Sequence, residues 1–151
     1  MDAKARLIQK IQNKDIEAQN AARTRQSKLE SFKDDLADLH KSLRKLVADV
    51  PMVEIETLPA VADGETLDNG CFSLELLGGS IRFESMHKAG QFGLQVTNIW
   101  SRPTFLTAIR PDVWVSTKDA GERLTLTDDL ILEKLEDFVD NPPASTVSLW
   151  D

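Results

Sequence analysis

The chain has 151 residues, of which 41% are hydrophobic, 28% charged and only 6% aromatic, and its formal net charge is −7 at pH 7. These values are typical of one folded domain, or of a domain with an extension, and they argue against a large aromatic binding surface. No apolar run approaches the roughly 20 residues of a membrane-spanning helix. Because no secretory signal is recognisable and the single cysteine, Cys71, excludes an intrachain disulfide, we expect a cytoplasmic protein.

Charge is divided unevenly along the chain. Residues 1–50 carry 11 Lys and Arg against 8 Asp and Glu, a balance of +3, whereas residues 51–151 carry 7 against 17, a balance of −10. Because acidic surfaces repel phosphate groups, nucleic-acid binding is disfavoured for the C-terminal part. The basic N-terminal segment is the one place where such binding stays open.

The first fifty residues predict one long helix. Residues 2–50 contain neither Gly nor Pro, and Pro51 then prevents the helix from continuing. With Ile8 at position a, an apolar heptad register runs through the segment without a slip. The apolar a and d residues, which we call the heptad seam and expect to form an oligomer or partner interface, are Ile8, Ile11, Ala18, Ala22, Leu29, Phe32, Leu36, Leu39, Leu43, Leu46 and Val50.

The heptad seam differs between its two ends. Asp15 and Arg25 interrupt its first part, whereas Leu and Phe dominate it from Leu29 onward. Three explanations fit this pattern: a homotypic coiled coil, which we favour, a helix donated to another protein, or packing of the Leu29–Val50 stripe on the protein's own β-sheet.

The segment from residue 51 to residue 70 is predicted to be a linker. It holds two prolines and two glycines among several acids. Val53 and Ile55 alternate with two glutamates, which predicts a short edge strand, and the stretch from Pro59 to Gly70 is predicted to be a loop.

A β-hairpin is predicted around two consecutive glycines. Alternating apolar residues precede and follow Gly78-Gly79, and a two-residue turn there would place Leu76 opposite Ile81. The same register pairs Glu75 with Arg82. It predicts one apolar face, which comprises Phe72, Leu74, Leu76, Ile81 and Phe83.

The rest of the chain predicts an antiparallel β-meander closed by a second helix. Further short strands are expected at residues 92–100, 105–109, 113–115 and 124–126, and a helix at 127–140 with Thr127 as its N-cap. The fold class is therefore α+β, with an N-terminal coiled-coil helix (1–50), a linker (51–70), an α+β domain (71–141) and a tail (142–151). Leu149 and Trp150 in the tail are candidate partner-binding residues.

The sequence contains few groups that support chemistry. Its histidines are His40 and His87, and no clustered Cys, His or carboxylate spacing typical of a metal site occurs. A nucleophile–base pair of Cys71 with His87 is the sole catalytic hypothesis, and a half-buried strand cysteine is the favoured alternative. We therefore predict no enzyme activity and no catalytic, cofactor or metal site.

Three binding functions remain. We favour a homo-oligomeric scaffold or adaptor that is assembled through the N-terminal coiled coil and binds another protein. The first alternative is an acidic chaperone or inhibitor that binds a basic partner, such as a nucleic-acid-processing protein. The weaker alternative is a DNA-binding regulator that uses the basic N-terminal helix.

Overall fold

The computed structural model describes residues 2–110, 113–116 and 123–142. Within them, one helix precedes and one follows a six-stranded antiparallel sheet whose spatial order follows the chain order. This confirms the α+β class and the order of its parts. The elements are α1 (Ala3–Val47), β1 (Glu54–Ala62), β2 (Glu65–Leu76), β3 (Gly79–Lys88), β4 (Gln91–Thr97), β5 (Thr104–Arg110), β6 (Val113–Ser116) and α2 (Asp128–Asp140).

The chain divides into two compact units, Met1–Ser31 and Phe32–Asp151, and α1 runs through both. The first unit is a single stretch of helix. Asp2 caps its start, because the Asp2 Oδ1 atom accepts a 2.8 Å hydrogen bond from the backbone N–H of Ala5. Further contacts in this unit are local and exposed, such as the Lys14–Glu17 ion pair at 3.6 Å, and intrinsic helix propensity contributes to its order.

In the second unit, the C-terminal part of α1 packs on one face of the sheet. The Phe32 ring stacks on Phe92 of β4 with centroids 5.8 Å apart and meets Trp114 of β6 edge-on at 6.2 Å. From Leu36 to the end of the helix, aliphatic side chains continue this packing. The buried residues of α1 in this unit are Phe32, Leu36, Leu39, Leu43 and Val47.

Three hairpins of the sheet use the same type of turn. Asp63-Gly64, Leu77-Gly78 and Ala89-Gly90 each connect two strands, and all six residues have positive φ between 50° and 86°. Two consecutive left-handed residues are the geometry of a type I′ turn, whose twist matches that of paired strands. Glycine at the second position lowers the conformational cost of each turn.

The short edge strand predicted around Ile55 is confirmed as the start of β1, which lies at the edge of the sheet. The loop predicted from Pro59 to Gly70 is wrong, since those residues contain the end of β1 and the start of β2. The acids concealed the rest of this hairpin, because an edge strand exposes one side and tolerates Pro59, which has no N–H to donate. The register shifts between Leu58 and Ala60, opposite residues 68–70 of β2. This irregularity allows both Leu67 and Phe72 to be buried, although a regular strand would place them on opposite faces.

The predicted hairpin exists, but its turn begins one residue earlier than predicted, so the predicted register is wrong. Leu77-Gly78 forms the turn, so that Leu74 pairs with Ile81 and Glu75 with Ser80. The single apolar face is confirmed, because this shift keeps every side chain on its predicted face. Gly79 is needed for a different reason: a Cβ atom there would lie 2.4 Å from the Phe138 ring of α2.

The C-terminal elements follow the prediction in part. Helix α2 has Thr127 as its N-cap, with the hydroxyl accepting a hydrogen bond from the Leu130 N–H, as predicted. The strand expected at 124–126 is wrong, because it is reduced to one bridge between Thr125 and Val115. The tail residues predicted to bind a partner, Leu149 and Trp150, lie outside the described residues.

Candidate interaction surfaces

The N-terminal unit exposes a cluster of large apolar side chains. Leu7, Ile8 and Ile11 are 58%, 47% and 60% exposed, and their i, i+3 and i, i+4 spacing places them together within little more than one turn of α1. We call these three residues the apolar cluster. Ala18 and Ala22 of the heptad seam are exposed as well. Exposed apolar groups clustered on one helix face are typical of an interaction surface.

Burial of the second part of the heptad seam shows that the predicted interface is wrong there. Its buried residues cannot contact a second helix while this fold persists. Those within the second unit pack on the protein's own sheet, which was the alternative explanation. Leu46 is half-buried, and Val50 lies beyond the helix end, so that Val47 takes the final position. The seam residues buried within the chain are Leu29, Phe32, Leu36, Leu39 and Leu43.

A groove of about 450 Å³ lies between α1 and the first half of β2. Leu36 and Leu67, exposed by 7% and 4%, contribute buried apolar surface to it. Apart from Ala37, polar and charged groups line the remainder. The residues lining this groove, which we call the basic groove, are Lys33, Leu36, Ala37, His40, Lys41, Arg44, Thr66, Leu67, Asp68 and Asn69.

Charged residues of both signs lie on the part of α1 that belongs to the second unit. Residues 33, 37, 40, 41 and 44 line the basic groove, whereas Asp34, Asp35 and Asp38 are not among its lining residues. Burial raises the pKa of the Asp35 carboxyl, and the nearby Asp38 and Asp34 raise it further. The three acids therefore repel one another, and none of them lines the groove.

His40 of the basic groove is held toward its neutral form. Burial lowers its pKa below the ordinary histidine value, and the Arg44 guanidinium lowers it further. Its ring packs near Phe72 of β2, with centroids 5.2 Å apart. Its Nε2 atom is buried and has no hydrogen-bond partner among the described residues. His40 is therefore half-buried against the sheet instead of lying fully in solvent.

Three glutamates form an acidic cluster on β1 and β2. Carboxylate oxygens of Glu54, Glu56 and Glu75 all lie within 4.8 Å of one another. Such oxygens suit a hard divalent cation, but Glu54 and Glu56 are exposed, and acids on a sheet edge also protect it from pairing with another strand. The geometry alone assigns no metal here.

The hypothetical nucleophile–base pair is not assembled. Cys71 is buried on β2 and pairs in register with Glu84 of β3, three residues before His87. Because alternate strand residues point to opposite faces, Cys71 and His87 lie on different faces of the sheet. The His87 ring instead contacts Phe92 at 4.6 Å, and its Nε2 atom lies 4.0 Å from an Asp63 carboxylate oxygen.

The basic groove was missed by sequence reasoning, although the spacing of its helical residues carries a signal. Lys33, Lys41 and Arg44 recur along one helix, but nothing in the sequence places residues 66–69 beside them. No helix within the described part of the chain combines the length and apolarity that crossing a membrane requires. Comparison with protein-family models, with curated proteins and with solved structures found no match to this chain.

Proposed function

We propose that this chain is a non-enzymatic protein-interaction module that self-associates through the N-terminal unit of α1. The observation that carries the proposal is the apolar cluster, which is 47–60% exposed on a helix. Burying one such side chain fully contributes about 1.5–3 kcal/mol. A second copy of the same helix face is the occupant that the heptad spacing favours.

The N-terminal seam supports weak rather than permanent association. Its large apolar residues are confined to the first three turns, and the alanines that follow bury little surface. Asp15 and Arg25 stand at seam positions, where charged groups reduce stability but restrict the allowed register. The expected product is a reversible oligomer with a dissociation constant in the micromolar range.

Sedimentation velocity over micromolar to millimolar concentrations tests this proposal. The unaltered chain should shift from monomer to oligomer, and the double variant Ile8→Asp, Ile11→Asp should stay monomeric. Ile16→Asp is the matched control, because Ile16 is 54% exposed but lies about 140° around the helix from Ile11. If the unaltered chain remains monomeric throughout, or if the control loses association equally, the proposal is wrong.

The acidic alternative has one observation in its favour, the cluster of Glu54, Glu56 and Glu75. It predicts salt-sensitive binding to a basic protein. That binding should weaken in Glu54→Gln, Glu56→Gln and persist in the variants of the apolar cluster. The DNA-binding alternative instead predicts a strongly salt-dependent affinity that disappears when residues 1–27 are deleted.

A further inference from the structure

We propose that the basic groove is a binding site for a small organic anion, a carboxylate or phosphate attached to an apolar body. This function is separate from self-association, because the groove lies entirely in the second unit. Its volume of about 450 Å³ lies within the usual range for small-molecule sites.

The charge of the groove differs from that of the surrounding domain. Residues 51–151 have a balance of −10, yet the groove carries Lys33, Lys41 and Arg44 against one acid, Asp68. Within the described residues, none of these three cations forms an ion pair or a side-chain hydrogen bond. Three cations against one acid in a concave site favour an anionic ligand.

The walls of the groove indicate what accompanies the anion. Leu36, Ala37 and Leu67 offer apolar surface to the body of a ligand, while Thr66 and Asn69 add a hydroxyl and an amide. A bare inorganic ion would use the cations and leave the apolar surface uncovered. An apolar molecule without charge would leave the cations unpaired, so an amphipathic anion fits the whole lining.

Lys41 and Arg44 are the pair expected to hold the charged group. They are three residues apart, so that they stand side by side on one turn of α1, and Arg presents a planar fork that matches a carboxylate or phosphate. Lys33 lies two turns earlier, near the opposite end of the lining. The resulting polarity predicts that the ligand lies along the helix with its anionic group toward residue 44.

The experiment is a titration of the full isotope-labelled chain with octanoate, with octyl phosphate and with the uncharged 1-octanol, followed by NMR. Octanoate or octyl phosphate should shift the amide signals of residues 33–44 and 66–69, and should bind about tenfold more tightly than octanol. Comparison of the two anions identifies the preferred charged group. Equal affinity for octanol and both anions, or shifts confined to the apolar cluster of the N-terminal unit, would overturn the proposal.

Charge-neutralising variants locate the site. The double variant Lys41→Gln, Arg44→Gln should weaken binding of the better anion about tenfold. Lys45→Gln is the matched control, since Lys45 is exposed on the same helix but does not line the groove. Unchanged backbone signals elsewhere establish that each variant is folded. A double variant that binds as tightly as the unaltered chain, or a control that weakens equally, contradicts the assignment.

Discussion

The two parts of helix α1 share one heptad spacing and differ in exposure. In the first unit, Leu7, Ile8 and Ile11 are about half exposed, whereas in the second unit Phe32, Leu36 and the later seam residues are buried. A heptad repeat thus indicates that a helix face needs a partner surface, but not whether that surface belongs to the same chain. In the second unit the sheet provides it, since Phe32 lies against Phe92 and Trp114.

Truncation of one seam residue in each part gives the largest contrast. Leu43 is 2% exposed and Ile11 is 60% exposed. Leu43→Ala should lower the free energy of unfolding by about 2–5 kcal/mol, because it leaves a cavity in the core. Ile11→Ala should change it by no more than about 0.5 kcal/mol at concentrations where the chain is monomeric.

Urea denaturation of both variants, followed by circular dichroism, measures this contrast. Similar losses from the two substitutions would show that both parts of α1 are covered in the same way, which would remove the distinction between them. The m-value should stay constant, since a change would indicate an altered native or denatured state rather than a lost contact.

The contact between α2 and the sheet gives the next effect in size. Gly79 allows the Phe138 ring to lie where a side chain would otherwise stand. Gly79→Ala should therefore cost about 1–3 kcal/mol by overpacking, and it should increase hydrogen exchange in α2. Gly90→Ala serves as the control, because its turn has positive φ but open space around it. If Gly90→Ala loosens α2 equally, the close approach at Gly79 is not what holds that helix.

The same glycine explains how far the hairpin could be predicted from sequence. The alternation of apolar residues predicted which side chains share a face. This prediction is confirmed, because shifting the turn by one position leaves each side chain on the same face. With Leu77-Gly78 as the turn, Gly79 lies in β3 against the Phe138 ring, which is far away in sequence. Local patterns therefore specify the faces, whereas they do not show this tertiary contact or the position of the turn.

The candidate sites show a similar division. The sequence spacing predicts that Ile8 and Ile11 share one helix face, but it does not show that this face is exposed in the monomer. The basic groove required the positions of residues 66–69, which were predicted to be a loop because Pro59, Gly64 and several acids conceal the first hairpin. The spacing of residues along α1 does not predict which strand lies beside the helix.

The smallest expected effect concerns the pH dependence that His40 introduces into the packed part of α1. Its pKa is lowered by burial and by Arg44, so the unfolded chain takes up the proton at a higher pH than the folded chain does. The free energy of unfolding therefore decreases as pH falls from the ordinary histidine pKa toward the lowered pKa of His40. Below the lowered pKa, protonation of His40 decreases it no further. Between about pH 7.5 and about pH 5.5, the melting temperature of the His40→Gln variant should fall less than that of the unaltered chain. Arg44→Gln should raise the His40 pKa in an NMR titration, and an unchanged value would assign the shift to burial alone.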